Sequence, residues 1–300
     1  MRIGFALPQF GALAHQPDQV SRFARWIEEL GGDSLWVADR LLAPVDPSVG
    51  YAGGSTIPRE FRSVLDPFTL LTVATTATEH VRLGTNVLNA PWYPPALLAR
   101  TLTSIDALSG GRLVPGFGIG WSPEEFAAAG VPMAERGARL DECLDALHQL
   151  WSADPAEYRG SHWSVPATHA NLKPAQDPHP PVYLAGFAEP ALRRVARRAD
   201  GWLPVWRPGT GEFDPSAHLA EPLARVRSLA EEFGRDPKSV DALLRVYPTE
   251  EGTVDEVVDA IVRAERDAGV DDAFVDLMCL AENVDHALEL AEGILRRARG

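Results

Sequence analysis

The chain has 300 residues, of which 45% are hydrophobic and 23% charged, proportions ordinary for a globular protein and unlike those of a disordered or fibrous one. Its net charge of −14 opposes binding to phosphate backbones and anionic membrane surfaces, so nucleic acid and lipid are not expected partners. No apolar run reaches the roughly 20 residues of a bilayer span, and the N-terminus has no signal-peptide core, so a cytoplasmic protein is expected.

Short β-branched or aromatic runs alternate with helical patterns from end to end, which predicts βα units around a parallel sheet. Strands are predicted to begin near Arg2, Ser34, Val81, Arg112, Val182, Gly201, Ala242 and Asp272. Most are continuous apolar runs, as strands covered on both faces should be. Eight such units in one chain of this length predict an α/β fold, a (β/α)8 TIM barrel occupying residues 1–300 as a single domain.

The helices carry the 3.6-residue period. Leu140, Cys143, Leu144, Leu147, Leu150 and Trp151 form one stripe, and Val284, Ala287, Leu288, Ala291, Ile294 and Leu295 another. Cys143 therefore reads as a buried thiol, and with Cys279 as the second of two cysteines no disulfide framework is expected. Helix starts are marked by Asp66-Pro67 and Asp214-Pro215, and by capping boxes from Ser122 to Glu125 and from Thr253 to Glu256. Gly31-Gly32 and Gly110-Gly111 mark helix ends. Two segments exceed ordinary connectors and read as insertions after strands 2 and 4: Leu41 to Val64 and Asp154 to Pro180. Each is expected to form a pocket wall or a contact surface, the first as a lid and the second with a small hairpin around Tyr158 to Val165.

In a barrel of this kind the chemistry sits at the C-terminal ends of the strands. Those ends carry Gln9 and Phe10 after strand 1, Asp39 and Arg40 after strand 2, and Thr85, Asn86 and Val87 after strand 3. Strand 4 delivers Gly116, Gly118 and Trp121, and strand 5 delivers Ala185, Gly186, Phe187 and Ala188. The set is aromatic, glycine-rich and sparsely charged, which suits a flat conjugated ring. No dinucleotide, phosphate-loop or nucleophile-elbow motif occurs, and the eight histidines have no metal-ligand spacing, so no metal site is expected.

Ser34-Leu-Trp-Val-Ala-Asp39, Leu83-Gly-Thr-Asn-Val87, Leu108-Ser-Gly-Gly-Arg-Leu113, Gly116-Phe-Gly-Ile-Gly-Trp-Ser-Pro-Glu-Glu125 and Ala199-Asp-Gly-Trp202 together resemble the bacterial luciferase-like monooxygenase superfamily. Within it, the residues are most similar to the coenzyme F420-dependent oxidoreductase branch. The resemblance implies hydride transfer between the deazaflavin and a small organic substrate. It leaves two alternatives open: a two-component FMNH2-dependent monooxygenase and a non-catalytic flavin-binding barrel.

The same resemblance implies a cis peptide between Asn86 and Val87 behind the cofactor ring, with Thr85 beside it. It implies a ring contact at Asp39, strand contacts at Gly116 and Gly118, and a phosphate site on Ala185, Gly186, Phe187 and Ala188. A homodimer and a separate F420 or flavin reductase are expected partners on the same ground. Substrate contacts fall to Gln9, Arg40, Tyr93 and Trp121. The family commonly has histidine where this chain has Arg40, which stays protonated and can bind or polarise but not exchange a proton. Glu125, Tyr93 and Glu124 are then the candidates to deliver a proton, and Glu189, at the expected start of the next helix, opposes a phosphate there.

Overall fold

Eight strands close into a ring in the computed structural model, which describes residues 1–300. They are β1 (Arg2–Ala6), β2 (Ser34–Val37), β3 (Arg82–Thr85, resumed at Leu88–Asn89), β4 (Leu113–Val114 and Gly116–Gly118) and β5 (Tyr183–Ala185). The round is completed by β6 (Gly201–Leu203 and Val205–Trp206), β7 (Asp241–Ala242 and Leu244–Val246) and β8 (Asp272–Val275). Every neighbouring pair is parallel, and β8 closes on β1 with Arg2 opposite Asp272 and Phe5 opposite Val275. Each predicted strand start lies within a residue of an observed one.

The connecting helices are α1 (Val20–Glu29), α2 (Pro67–Ala77), α3 (Pro95–Ser109), α4 (Arg136–Ser152), α5 (Glu189–Arg198), α6 (Glu221–Glu232), α7 (Val254–Ala268) and α8 (Val284–Arg299). None is long and apolar enough to cross a membrane.

Strands covered on both faces need two cores, and the apolar runs supply both. Inside the ring pack Trp36, Val114, Tyr183, Leu203, Leu243 and Phe274. A far larger cluster, including the stripes of α4 and α8, fills the layer between strands and helices. Trp36 is the widest side chain in the inner core, and it lies against Phe274 with ring centroids 4.8 Å apart. Gly84 on β3 makes room for it: a Cβ there would fall 2.2 Å from the indole.

Local chemistry sets most boundaries. Asp66 accepts the Thr69 N–H at 2.8 Å to start α2, and Thr253 and Glu256 exchange both bonds of a capping box at α7. Two expectations need correction. Ser122 accepts the Glu125 N–H at 3.5 Å, but the Glu125 carboxylate turns elsewhere, so that box is half made. Asp214 and Pro215 open a π-helical turn, Ser216–Ala220, and α6 begins only at Glu221. Pro222 lacks an N–H and interrupts any α ladder running through from Pro215.

The segment from Leu41 to Val64 lies over the mouth of the barrel, pinned by Ser48, whose N–H and hydroxyl both donate to Glu124 Oε1. The second insertion contains the expected hairpin, Ala156–Arg159 paired with Ser164–Thr168. It does not line the cavity at the C-terminal strand ends; Thr168 to Leu172 instead border an outer pocket against α3. It follows α4, whose Glu142 accepts the N–H groups of Ser161, His162 and Trp163, and runs to the opposite end of the barrel, where Gln176 bonds Asp106 and the Leu113 carbonyl.

Candidate functional site

A cavity of about 230 Å3 opens at the C-terminal ends of the strands. The residues after β2 form one side (Ala38, Asp39, Arg40), with Asn86 and Val87 after β3 and the loop Ala185–Phe187 after β5 facing them. Tyr51 and Phe61 from the overlying segment, with Trp121, form an aromatic lid. The Asn86–Val87 peptide is cis.

Asp39 is buried against this cavity. Its Oδ2 accepts from the Asn89 N–H at 2.9 Å and from the Tyr93 hydroxyl at 3.0 Å, while Oδ1 takes no hydrogen bond from the protein. Burial pushes its pKa up to about 6, against the two hydrogen bonds, which favour the ionised form. The wall thus holds a carboxyl that titrates near neutrality with one free oxygen.

Arg40 does not pair with Asp39. Its Nη1 lies 3.3 Å from Glu125 Oε2, and both side chains are almost wholly buried. Glu125 Oε1 also accepts the N–H groups of Leu41 and Leu42, so this carboxylate fixes the chain as it leaves β2. Burial lowers the Arg40 pKa and raises that of Glu125, each opposed by the partner's charge. The guanidinium is sandwiched between Phe61 and Trp121, 4.8 and 4.6 Å from the ring centroids. Glu125 does not line the cavity, and its carboxylate is taken up by Arg40 and the Leu41 and Leu42 N–H groups, while Glu124 is partly exposed and held to Ser48, its pKa lowered to about 2 by those hydrogen bonds.

Other expected contacts are displaced by one layer. Gln9 is used up by the backbone, accepting from the Ala38 N–H and donating to the Ala38 and Leu65 carbonyls, so it joins β1 to β2 and faces no ligand. Tyr93 reaches the cavity only through Asp39, and its pKa rises through burial and that carboxylate. Thr85 exchanges hydrogen bonds with Gly116, both 2.8 Å. A Cβ at Gly116 would meet the Thr85 carbonyl at 2.1 Å, and one at Gly118 would meet Val87 at 2.6 Å. These three residues bring β4 against β3 behind the cavity and do not line it.

Of the β5 loop, Ala185, Gly186 and Phe187 line the cavity, whereas Ala188 caps α5 without a side-chain hydrogen bond. Glu189 is the first residue of α5 rather than its cap, and its carboxylate is drawn aside to Arg225 at 2.6 Å. It therefore does not block the loop. On the same helix Arg194 binds Asp141 at 2.8 Å and Arg198 binds Asp145, both on α4, so this basic face is a helix–helix contact.

Several lining residues escape a reading by motif. Arg245, in the middle of β7, is buried and paired with Asp276 after β8 at 2.5 Å. Burial would lower its pKa, but Asp276 and the nearby phenols outweigh this and raise it. The signal was present, since an arginine inside the apolar run Leu243 to Tyr247 has no place in a barrel strand unless it is paired or functional. Asn89, Phe61 and Tyr51 carry no such mark; only the path of the overlying segment brings the last two to the mouth. Trp206 packs on Phe213 and His218 in the core.

A family model for luciferase-like monooxygenases matches residues 1–296. An uncharacterized protein of Mycobacterium tuberculosis is 35% identical over 217 residues, 71% of each chain. Among solved structures, a monooxygenase from Streptomyces bottropensis superposes with a TM-score of 0.76 at 21% identity, covering 99% of this chain and 97% of that one. An F420-dependent secondary alcohol dehydrogenase, in complex with an F420–acetone adduct, gives 0.74 at 17% identity over 100% and 99%. The strand order, the cavity at the strand ends and these matches agree: the chain belongs to the luciferase-like monooxygenase family.

Proposed function

We propose that the protein is an oxidoreductase that binds coenzyme F420 across the barrel mouth and exchanges a hydride with a small organic substrate. The observation that carries this reading is the wall at Asp39 and Asn86. The buried Nδ2 of Asn86 has no partner, and Asp39 Oδ1 is free beside the same cavity. A ring that offers carbonyl oxygens and a ring N–H along one edge complements both. Gly186 and Phe187 would border the cofactor, and the α5 N-terminus, free of a side-chain cap, offers N–H groups to its phosphate. An F420-dependent relative with the same fold supports the choice.

When bound, the deazaflavin supplies or accepts the hydride. Asp39 would hold the ring edge through Oδ1, and of the groups around the cavity it is the one whose pKa, about 6, suits proton exchange near neutrality. Arg40 stays charged and offers hydrogen bonds to a substrate oxygen. The lid of Tyr51, Phe61 and Trp121 keeps water from the reacting atoms.

Fluorescence titrations with F420 and with FMN test this reading, followed by turnover with oxygen present and absent. F420 is expected to bind and to be reduced without oxygen; tight FMN binding with no F420 binding overturns it in favour of a flavin monooxygenase. Binding of either cofactor without turnover would point to a carrier. The Asp39→Asn enzyme should lose any limb of the pH–rate profile near pH 6.

A further inference from the structure

Eleven buried side-chain polar atoms in the molecule have no hydrogen-bond partner, and six of them belong to residues that line this cavity or pack on Tyr51 of its lid: Arg40 Nε and Nη1, Asn86 Nδ2, Arg207 Nε, Arg245 Nε and Tyr247 Oη. The first five can only donate. Apart from Asn86, which faces the cofactor side, they lie on or just after β7, after β6 and, for Arg40, after β2 beneath the lid residues Phe61 and Trp121. Unpaired buried polar groups are rare in folded proteins because each costs the hydrogen bonds it made to water, so a cluster of donors marks a place completed by an acceptor-rich ligand.

Charge points the same way. Arg40 is matched by Glu125 and Arg245 by Asp276, both behind the cavity surface. Arg207, which follows β6, has no carboxylate within salt-bridge distance and donates no hydrogen bond to the protein. It is held by rings alone, 5.2 Å from the Tyr51 centroid and 4.9 Å from that of Tyr247. The rings and guanidinium groups interleave: Tyr51 touches Phe61 and Trp121, which enclose Arg40, while Tyr247 separates Arg207 from Arg245. Arg207 borders an outer groove that meets the cavity at Tyr51 and that also carries three carboxylates: Glu60 and Glu250 are both engaged by Arg59, and Glu251 lies on the same rim.

We propose that the substrate is an organic acid, an apolar or aromatic body bearing a carboxylate, and that Arg207 binds the carboxylate. The aromatic lid covers the body of the substrate, and Arg40 lies beside the oxygen of the reacting carbon. Arg207 is a specificity-determining residue in this arrangement. The identification of the acid as substrate rests on the oxidoreductase reading above, but its binding does not require the cofactor.

The test is therefore made on the full chain without cofactor. Calorimetric titration compares phenylacetate with phenylacetamide, which has the same shape and no charge. Phenylacetate is expected to bind about tenfold or more tightly, the preference expected of one charge-assisted contact. Arg207→Gln should erase the preference, Arg207→Lys should keep part of it, and Arg266→Gln, at the far end of α7, should leave it intact. Circular dichroism melts establish that each variant is folded. Equal affinity for the two probes, no binding of either, or a preference that survives Arg207→Gln overturns the proposal. Failure of F420 to bind, by contrast, would count only against the cofactor.

Discussion

Asp39 shows what the site costs the fold. Its pKa is about 6 in the native protein and near 3.9 in an unfolded chain, so between these pH values the native state holds more of the proton. The stabilisation from protonated Asp39 is complete below pH 4 and is lost as pH rises through 6, a change of about 3 kcal/mol by neutrality. Asp39→Asn keeps an acceptor for Asn89 and Tyr93 but cannot titrate. In urea unfolding, the stability of wild type relative to this variant should therefore fall by about 3 kcal/mol between pH 4 and pH 7. A difference independent of pH would show that the carboxyl is not held protonated by burial.

Arg40 and Glu125 make the opposite case, a buried pair in which each charge depends on the other. Glu125→Gln leaves the guanidinium buried without its anion and should destabilise by about 3 kcal/mol or more. The double variant Arg40→Met, Glu125→Gln removes both charges and should recover over half of that loss. If the double variant is no more stable than the single, the pair is not what fixes the end of β2.

At the level of elements, the site depends on how closely three strands approach. Gly84 makes room on β3 for Trp36 of β2, and Gly116 and Gly118 let β4 lie against the Thr85 carbonyl and the Val87 side chain. Gly116 and Gly118 resemble ligand contacts in sequence because they sit at the end of a strand. Their work is to place Asn86 and Val87, which do face the cavity. Gly84→Ala sets a methyl group into the Trp36 ring, an overpacking worth about 1–3 kcal/mol, and should lower the melting temperature and shift the tryptophan emission. An unchanged spectrum would mean that the two strands part without disturbing the inner core.

In the whole molecule, closure of the ring spreads stability over distant parts of the chain. Asp272 on β8 meets Arg2 on β1 and Arg82 on β3, and α8 covers the same sector with six buried apolar side chains. At about 1.5–3 kcal/mol for each of Val284, Leu288, Ile294 and Leu295, those side chains contribute about as much as the roughly 5–15 kcal/mol of net stability typical of a folded protein. A chain ending at Asn283 should therefore fail to fold and should bind the dye ANS, a result read directly from its fluorescence and circular dichroism. A cooperative melt of that truncated chain would show that the barrel closes without its last helix.

The sequence by itself determined the periodic parts: eight βα units, their starts, the helix stripes, the stretch over the mouth, and Asp39 and Arg40 at the end of β2. Those features follow from hydrophobic period, capping chemistry and strand composition, all of which act within a few residues. Tertiary structure alone decided which side chains meet. Gln9 and Thr85 stand at the correct strand ends yet are consumed by neighbouring backbone, Glu125 leaves its own helix cap for Arg40, and Arg207, Arg245 and Tyr51 converge from three separate segments. Partners such as Glu125 and Leu41, 84 residues apart, are set by closure of the barrel, and no local pattern encodes that distance.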